Sequence, residues 1–333
     1  MRDHYLGTLD CADPLYEVLY EQVWPDVRDP LFHIISTASP RVYKYSEEKT
    51  GTTLIAKFFN PGDMHQDRVR RIKGEFDNLQ TIRRYGFDTL PHYVVRPLAR
   101  SAPIGLALVE EYVSGRSLDY YFKRAAFGGG EKALCEKLSD LASFLAALHR
   151  RTEMQGTVEL GPVCVYYRKV IDTLARQNVL PAQERNTCLQ LMDLWLDKEV
   201  LQKAKKVIVH GDATPTNFIF TEGGEVAAID LERMRITDAV YDVGMVCGEL
   251  KHLFLWRKAD PYASEPFIRH FLNAYCRHAD APEDTLRAIV LRNPFYMALT
   301  ELRIARNGYL SWHYRKLLVH EAMSCLGRGL DLL

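Results

Sequence analysis

Residues Val207 to Asp230, VIVHGDATPTNFIFTEGGEVAAID, constrain this chain more than any other stretch. Three apolar runs (VIV, FIF and VAAI) enclose a set of polar residues: His210, Asp212, Asn217 and Asp230. Short apolar runs bounded by turn formers read as strands, and the polar TEGG between the second and third reads as a hairpin turn. The pattern predicts one loop carrying Asp212 and Asn217, and a strand end carrying Asp230. Asn217 and Asp230 offer hard oxygen donors, which suit magnesium rather than zinc. Any one of these residues alone would read as a cap or a turn former. All four at fixed separations between strands would not.

The rest of the chain sets a frame around this segment. A chain of 333 residues can bury one large core or two lobes. Its 43 basic residues balance its 43 acidic ones, so no global charge draws it to nucleic acid or an anionic membrane. The start, MRDHYLGTLD, lacks the apolar run of a signal peptide. No stretch reaches the ~18 apolar residues of a membrane span. Seven scattered cysteines with no C-x-x-C spacing read as reduced thiols, not a metal site. Cytoplasmic location is the expectation.

Residues 1–30 read as an N-terminal extension, with Tyr16, Val18, Leu19 and Val23 hinting at a short helix. Three strands are predicted at 31–36, 41–46 and 52–59, as a meander. A helix follows, because Val69, Ile72, Phe76, Leu79 and Ile82 recur at three and four. Gly86 suits its C-terminal cap. Two more strands are predicted near 93–97 and 105–113. Beyond Val113 the periodicity turns helical, with a stripe of Leu134, Leu138, Leu141, Leu145 and Leu148. The domains read as 31–113, a sheet with one helix, and 114–333, a helical lobe carrying a hairpin at 207–232. Lys57 stands in the apolar strand TTLIAKFF, where an ammonium needs a partner or a ligand.

The HGD-x4-N motif followed by I-D-x-E resembles the catalytic and metal loops of aminoglycoside phosphotransferases, choline kinases and related small-molecule kinases. Protein kinases usually show H-R-D and D-F-G here. Gly211 in place of Arg, and Asp230-Leu231-Glu232 in place of D-F-G, point to small-molecule acceptors. The resemblance spans about Leu31 to Trp256. It implies an α+β, protein-kinase-like, two-lobed fold, a small antiparallel-sheet N-lobe with one helix and a larger helical C-lobe. The implied cofactors are ATP and Mg2+.

The roles implied by the resemblance fall on individual residues. Asp212 would be the catalytic base or acceptor-orienting group, and Asn217 and Asp230 the metal ligands. Lys57 would meet the nucleotide phosphates and pair with Glu75. The segment Ser36-Thr37-Ala38-Ser39-Pro40 would cover the phosphates, although it has no glycine. Residues Glu110 to Val113 would form the hinge, with backbone groups of Glu111 and Val113 at the adenine. His210 reads as a structural hydrogen-bonding residue. Glu232 would touch a second metal or orient its loop, and Asp242 would brace the catalytic loop.

The acceptor is less constrained. From Lys251 to Leu333 there are twelve basic and eight acidic residues, a balance that disfavours a polycationic antibiotic. Arg292, Arg303, Arg306, Arg315 and Lys316, interleaved with Tyr296, Tyr309, Trp312 and Tyr314, would suit an anionic or sugar-bearing acceptor or form a solvated basic face. The expectation is transfer of the γ-phosphate of ATP to a hydroxyl of a sugar, an amino alcohol or a related metabolite. An aminoglycoside kinase, a lipopolysaccharide or protein kinase, and a silent nucleotide-binding pseudokinase are the alternatives.

Overall fold

The structure is a computed structural model that describes residues 4–37, 39–58, 65–101, 106–279 and 282–333. The chain packs as two units, Met1–Gly115 with Thr221–Arg233, and Arg116–Phe220 with Met234–Leu333. Among the described residues, no helix is long and apolar enough to cross a membrane.

The first unit is built on a six-stranded antiparallel sheet. Its spatial order is His4–Thr8, Phe32–Ser36, Val42–Glu47, Thr53–Phe58, Leu106–Glu111, Pro97–Ser101. Side chains alternate faces along a strand, so Leu54 and Ala56 point to one side and Lys57 to the other. Leu54, Ala56 and Val109 join a buried cluster with Leu9, Leu15, Leu19, Trp24 and Phe32. The opposite side carries Lys57, and the helix His65–Ile82 supplies its buried partner Glu75. The strand Val226–Ala228, from the end of the motif, runs parallel to His92–Val94.

Residues 1–30 are therefore not an appended extension. His4–Thr8 is the outer strand of the sheet, and Pro14–Gln22 is a helix whose Leu15 and Leu19 are core residues. Asp13 caps that helix through the Leu15 N–H, and proline takes the first helical position. The sequence showed the apolar face but not the sheet surface that it covers. The segment Thr221–Arg233 likewise belongs to the first unit, not to the helical one that surrounds it in the chain.

The second unit is mostly helical. Its centre is the helix Val240–Lys258, nearly all of which is buried. A close pass against the helix Pro282–Ala305 depends on two glycines. A Cβ on Gly244 would lie 2.5 Å from the Tyr296 Cβ, and one on Gly248 would lie 2.7 Å from the Thr300 Cβ. Neither neighbour is a flexible chain end that can swing away. Two short strands, Lys206–Val209 and Arg235–Asp238, pair antiparallel and lead into and out of the motif.

Glycine substitutions should therefore separate by site. Gly244→Val or Gly248→Val should destabilise by about 1–3 kcal/mol through overpacking. Gly74→Ala meets nothing within 4 Å in its helix, and should stabilise by roughly 0.5–1 kcal/mol. Denaturant midpoints would check both, and equal shifts would contradict the packing account.

Candidate active site

In the first unit, Lys57 is held between two carboxylates. Its Nζ lies 2.8 Å from Glu75 Oε1 and 2.9 Å from Glu110 Oε1. Glu75 falls on the buried face of its helix, in step with Ile72, Leu79 and Ile82. Glu110 stands diagonally across the strand pair, because Lys57 is opposite Leu108 and Ile55 opposite Glu110. Burial works against the Lys57 charge, but Glu110, Glu75 and Asp230 together hold its pKa above the ordinary lysine value. Burial pushes Glu75 up to about 7; Lys57 opposes this, while the charges of Glu110 and Asp230 add to it. Burial also raises Glu110, again against Lys57.

Asp230 belongs to the same charged group. It takes a left-handed backbone conformation, φ 63°, costly for most residues but tolerated by aspartate. Carboxylate oxygens of Glu75, Asp230 and Glu232 lie within 4.8 Å of one another. That is a set of hard donors of the kind that holds magnesium or calcium. The preceding run VAAI leads through the strand Val226–Ala228 to Asp230, and Asn78 Nδ2 fixes the next residue by donating to the Leu231 carbonyl at 2.8 Å.

The glycine-free segment is tied mainly to itself. The Thr37 hydroxyl donates to the Val42 carbonyl at 2.8 Å and accepts the Ser39 N–H at 3.2 Å. The Ser36 hydroxyl donates to the His4 carbonyl at 3.3 Å, and Ala38 lies outside the described residues. At the expected hinge, the Glu111 N–H donates to the Arg96 carbonyl at 3.1 Å. The Glu111 carboxylate accepts from the Tyr93 hydroxyl and the Arg96 N–H. Glu111 thus braces the sheet with both its side chain and its N–H. Val113, two residues on, is half-buried.

In the second unit, a buried carboxylate fixes the HGD loop. Asp242 accepts the His210 N–H at 2.7 Å and the Gly211 N–H at 3.0 Å. It also lies 3.1 Å from His149 Nε2, whose Nδ1 meets the Tyr275 hydroxyl at 2.8 Å. Burial alone would raise the Asp242 carboxyl. The bond and charge from His149, then the His210 charge and the Gly211 N–H, hold it below the ordinary value. Gly211 has φ 80°, which explains the small residue between His210 and Asp212. His210 is fully buried against Phe218, and the Asp212 N–H reaches its Nδ1 at 3.4 Å. Asn217 Nδ2 donates to the Asp212 carbonyl at 2.9 Å. The amide oxygen of Asn217 accepts from the Thr216 hydroxyl at 3.4 Å.

The sequence model of the phosphotransferase enzyme family matches residues 33–288. The chain belongs to that family. It is an enzyme of the phosphotransferase class with a hydroxyl as acceptor. No curated protein sequence matches it. Among solved structures, it is similar to an ethanolamine kinase of Plasmodium vivax, with TM-score 0.63 and 14% identity over 93% of this chain and 87% of that one. A choline kinase of Cryptosporidium parvum gives TM-score 0.63 and 11% identity over 96% of each chain. The streptomycin–ATP ternary complex of APH(2")-IIa gives 0.56 and 16% over 96% and 97%. At these identities the likeness concerns the fold, and the kinase-like α+β architecture is the one the motif implied.

Three features of this family member were missed from sequence. Glu110 was read only as hinge backbone, although the alternation Leu108, Glu110 marks it as inward-facing. His149 was read only as the end of a leucine stripe. Arg303 reaches back across 91 positions to Asp212, with Nη1 2.8 Å from Oδ1, while its Nη2 lies 2.6 Å from Glu249. Of the five basic residues flagged near the C-terminus, Arg303 and its neighbour Arg306 belong to this cluster. Arg292 faces Asp238, Arg315 donates to the Ala305 carbonyl, and Lys316 pairs with Glu184.

Asp242→Asn has one amide group for two N–H donors, so one buried N–H loses its acceptor at a cost of about 1–3 kcal/mol. A carboxyl with a depressed folded pKa contributes fully above the ordinary carboxyl range, and loses that contribution as pH falls through the folded value. The wild-type advantage in urea unfolding should therefore be present at neutral pH and vanish in acid. A pH-independent difference would contradict the role of this charge.

Proposed function

We propose that this phosphotransferase uses Mg-ATP and transfers the γ-phosphate to a hydroxyl of a small molecule. The observation that carries the reading is the braced HGD loop, where Asp242 fixes the backbone and Asn217 fixes the Asp212 carbonyl. Catalysis of this kind rests on positioning and charge stabilisation rather than on a shifted pKa. Asp212 orients the acceptor hydroxyl and takes its proton as that oxygen bonds to the γ-phosphorus and ADP departs.

The residues fit the proposed cofactor. Glu75, Asp230 and Glu232 supply clustered carboxylate oxygens, and burial with neighbouring charge raises Glu75, a strain that a divalent cation would relieve. Asp230 and Asn217 are the proposed ligands, with Glu232 in support. Lys57, held by Glu75 and Glu110, is the proposed phosphate contact. Magnesium would supply neutralisation of charge on the phosphates.

Asp212→Asn should lower kcat by roughly 10²–10⁴-fold, and Asp230→Asn should abolish magnesium-dependent transfer, both with unchanged circular dichroism. Lys57→Met should raise KM for ATP. Normal turnover in any of the three would remove that residue from its role. Because Glu75 binds its proton more tightly when folded, it weakens stability as pH rises from the ordinary carboxyl range through about 7. Thermal stabilisation by Mg2+ alone should be larger near about pH 8 than near about pH 6, because deprotonation of Glu75 beside the ligands adds negative charge to the cluster. Asp230→Asn should remove it, and an equal shift at both values would count against a metal at this cluster.

A further inference from the structure

The second unit gathers three arginines around Tyr166 and Tyr241, and one of them, Arg303, is bonded to Asp212. Arg303 lies between Asp212 and Glu249, bonded to both. Arg306, one turn further on, donates to the Tyr166 hydroxyl at 3.3 Å and lies 5.8 Å from the centre of that ring. Arg235 lies 5.1 Å from the Tyr241 ring centre and 5.9 Å from that of Tyr166. Two tyrosine faces therefore carry two guanidiniums, and a third bridges the two carboxylates of the group. Asp119, the next acidic residue that Glu249 feels, is paired with Lys123 at 2.6 Å. Among the described residues, Arg306 has no carboxylate partner, and the buried Arg303 Nε–H has no acceptor.

This arrangement decides what an acceptor can carry. A cationic acceptor needs carboxylates facing it, but Asp212 and Glu249 already face Arg303. Its ammonium would approach a guanidinium at a few ångströms, and like charges so placed repel. An anion meets the reverse. Guanidiniums set against aromatic faces are weakly hydrated and keep a planar fork that matches carboxylate or phosphate oxygens.

Given Asp212 at the acceptor hydroxyl, as proposed above, we propose further that the acceptor bears an anionic group, a carboxylate or a phosphate, which Arg306 and Arg235 bind. Arg303 is a positioning residue. It holds Asp212 through one nitrogen and Glu249 through the other, and it excludes cationic acceptors. The chain thus keeps a kinase framework while reversing the charge preference expected for an amino-alcohol or aminoglycoside acceptor.

The test compares matched acceptors in one assay of γ-phosphate transfer from Mg-ATP: glycerol with glycerate and glycerol phosphate, glucose with gluconate and glucose 6-phosphate, and choline and kanamycin as cations. The two anionic arms distinguish carboxylate from phosphate. The expected result is a KM at least tenfold lower for an anionic member than for its neutral partner, with no transfer to the cations. Arg306→Ala should remove that preference by raising KM more than it lowers kcat, and Arg306→Lys should restore part of it. Equal or better use of neutral or cationic acceptors, or a preference that survives Arg306→Ala, would overturn the proposal. ATP hydrolysis without acceptor, read in the same assay, reports on the kinase itself. Hydrolysis without anion preference rejects the acceptor class alone, and the loss of both hydrolysis and transfer rejects the kinase reading with it.

Discussion

One buried carboxylate organises the second unit. Asp242 is fully buried at the start of its helix, which alone would make its charge costly. It is sustained because two backbone N–H groups and the His149 ring converge on it. Each of those partners would be an orphaned buried donor without it. The constraint therefore runs both ways: the loop needs the carboxylate, and the carboxylate needs the loop. His149 extends it to Tyr275, so two further helices are tied to the backbone of the HGD loop. Asp212 is aimed by this bracing, and Asn217 secures it from the other side.

The first unit solves a different electrostatic problem. Lys57 meets Glu75 and Glu110 directly and feels Asp230, so acidic groups outnumber the one ammonium. The raised proton affinities of Glu75 and Glu110 express that excess. A site with surplus carboxylate and a single well-held lysine is suited to polyphosphate accompanied by a divalent cation. The left-handed Asp230 adds backbone strain at the same place, as is common where function fixes a side chain.

The long helix Pro282–Ala305 carries the arginine that meets Asp212. Its approach to the helix Val240–Lys258 is permitted by Gly244 and Gly248, and it places Arg303 against Glu249 one residue beyond Gly248. Packing and charge are therefore coupled: the absence of two side chains allows a guanidinium to enter an acidic pair.

The sequence by itself determined the fold class and the phosphotransferase family. Periodicity gave the meander, the Glu75 helix and the helical remainder, because alternation by two and by 3.6 is local. The motif singled out Asp212, Asn217 and Asp230 as candidates, because they recur at short separations between apolar runs. Lys57 stood out as a charge in an apolar strand. Tertiary structure alone decided the rest. Leu9, Leu15 and Leu19 became core because a sheet face, invisible in sequence, needed cover. Glu110 became the second partner of Lys57 through strand register, and His149 joined Asp242 across 93 positions. Arg303 met Asp212 across 91. Such contacts follow from how helices and strands pack, a property of three-dimensional distance that no spacing along the chain encodes.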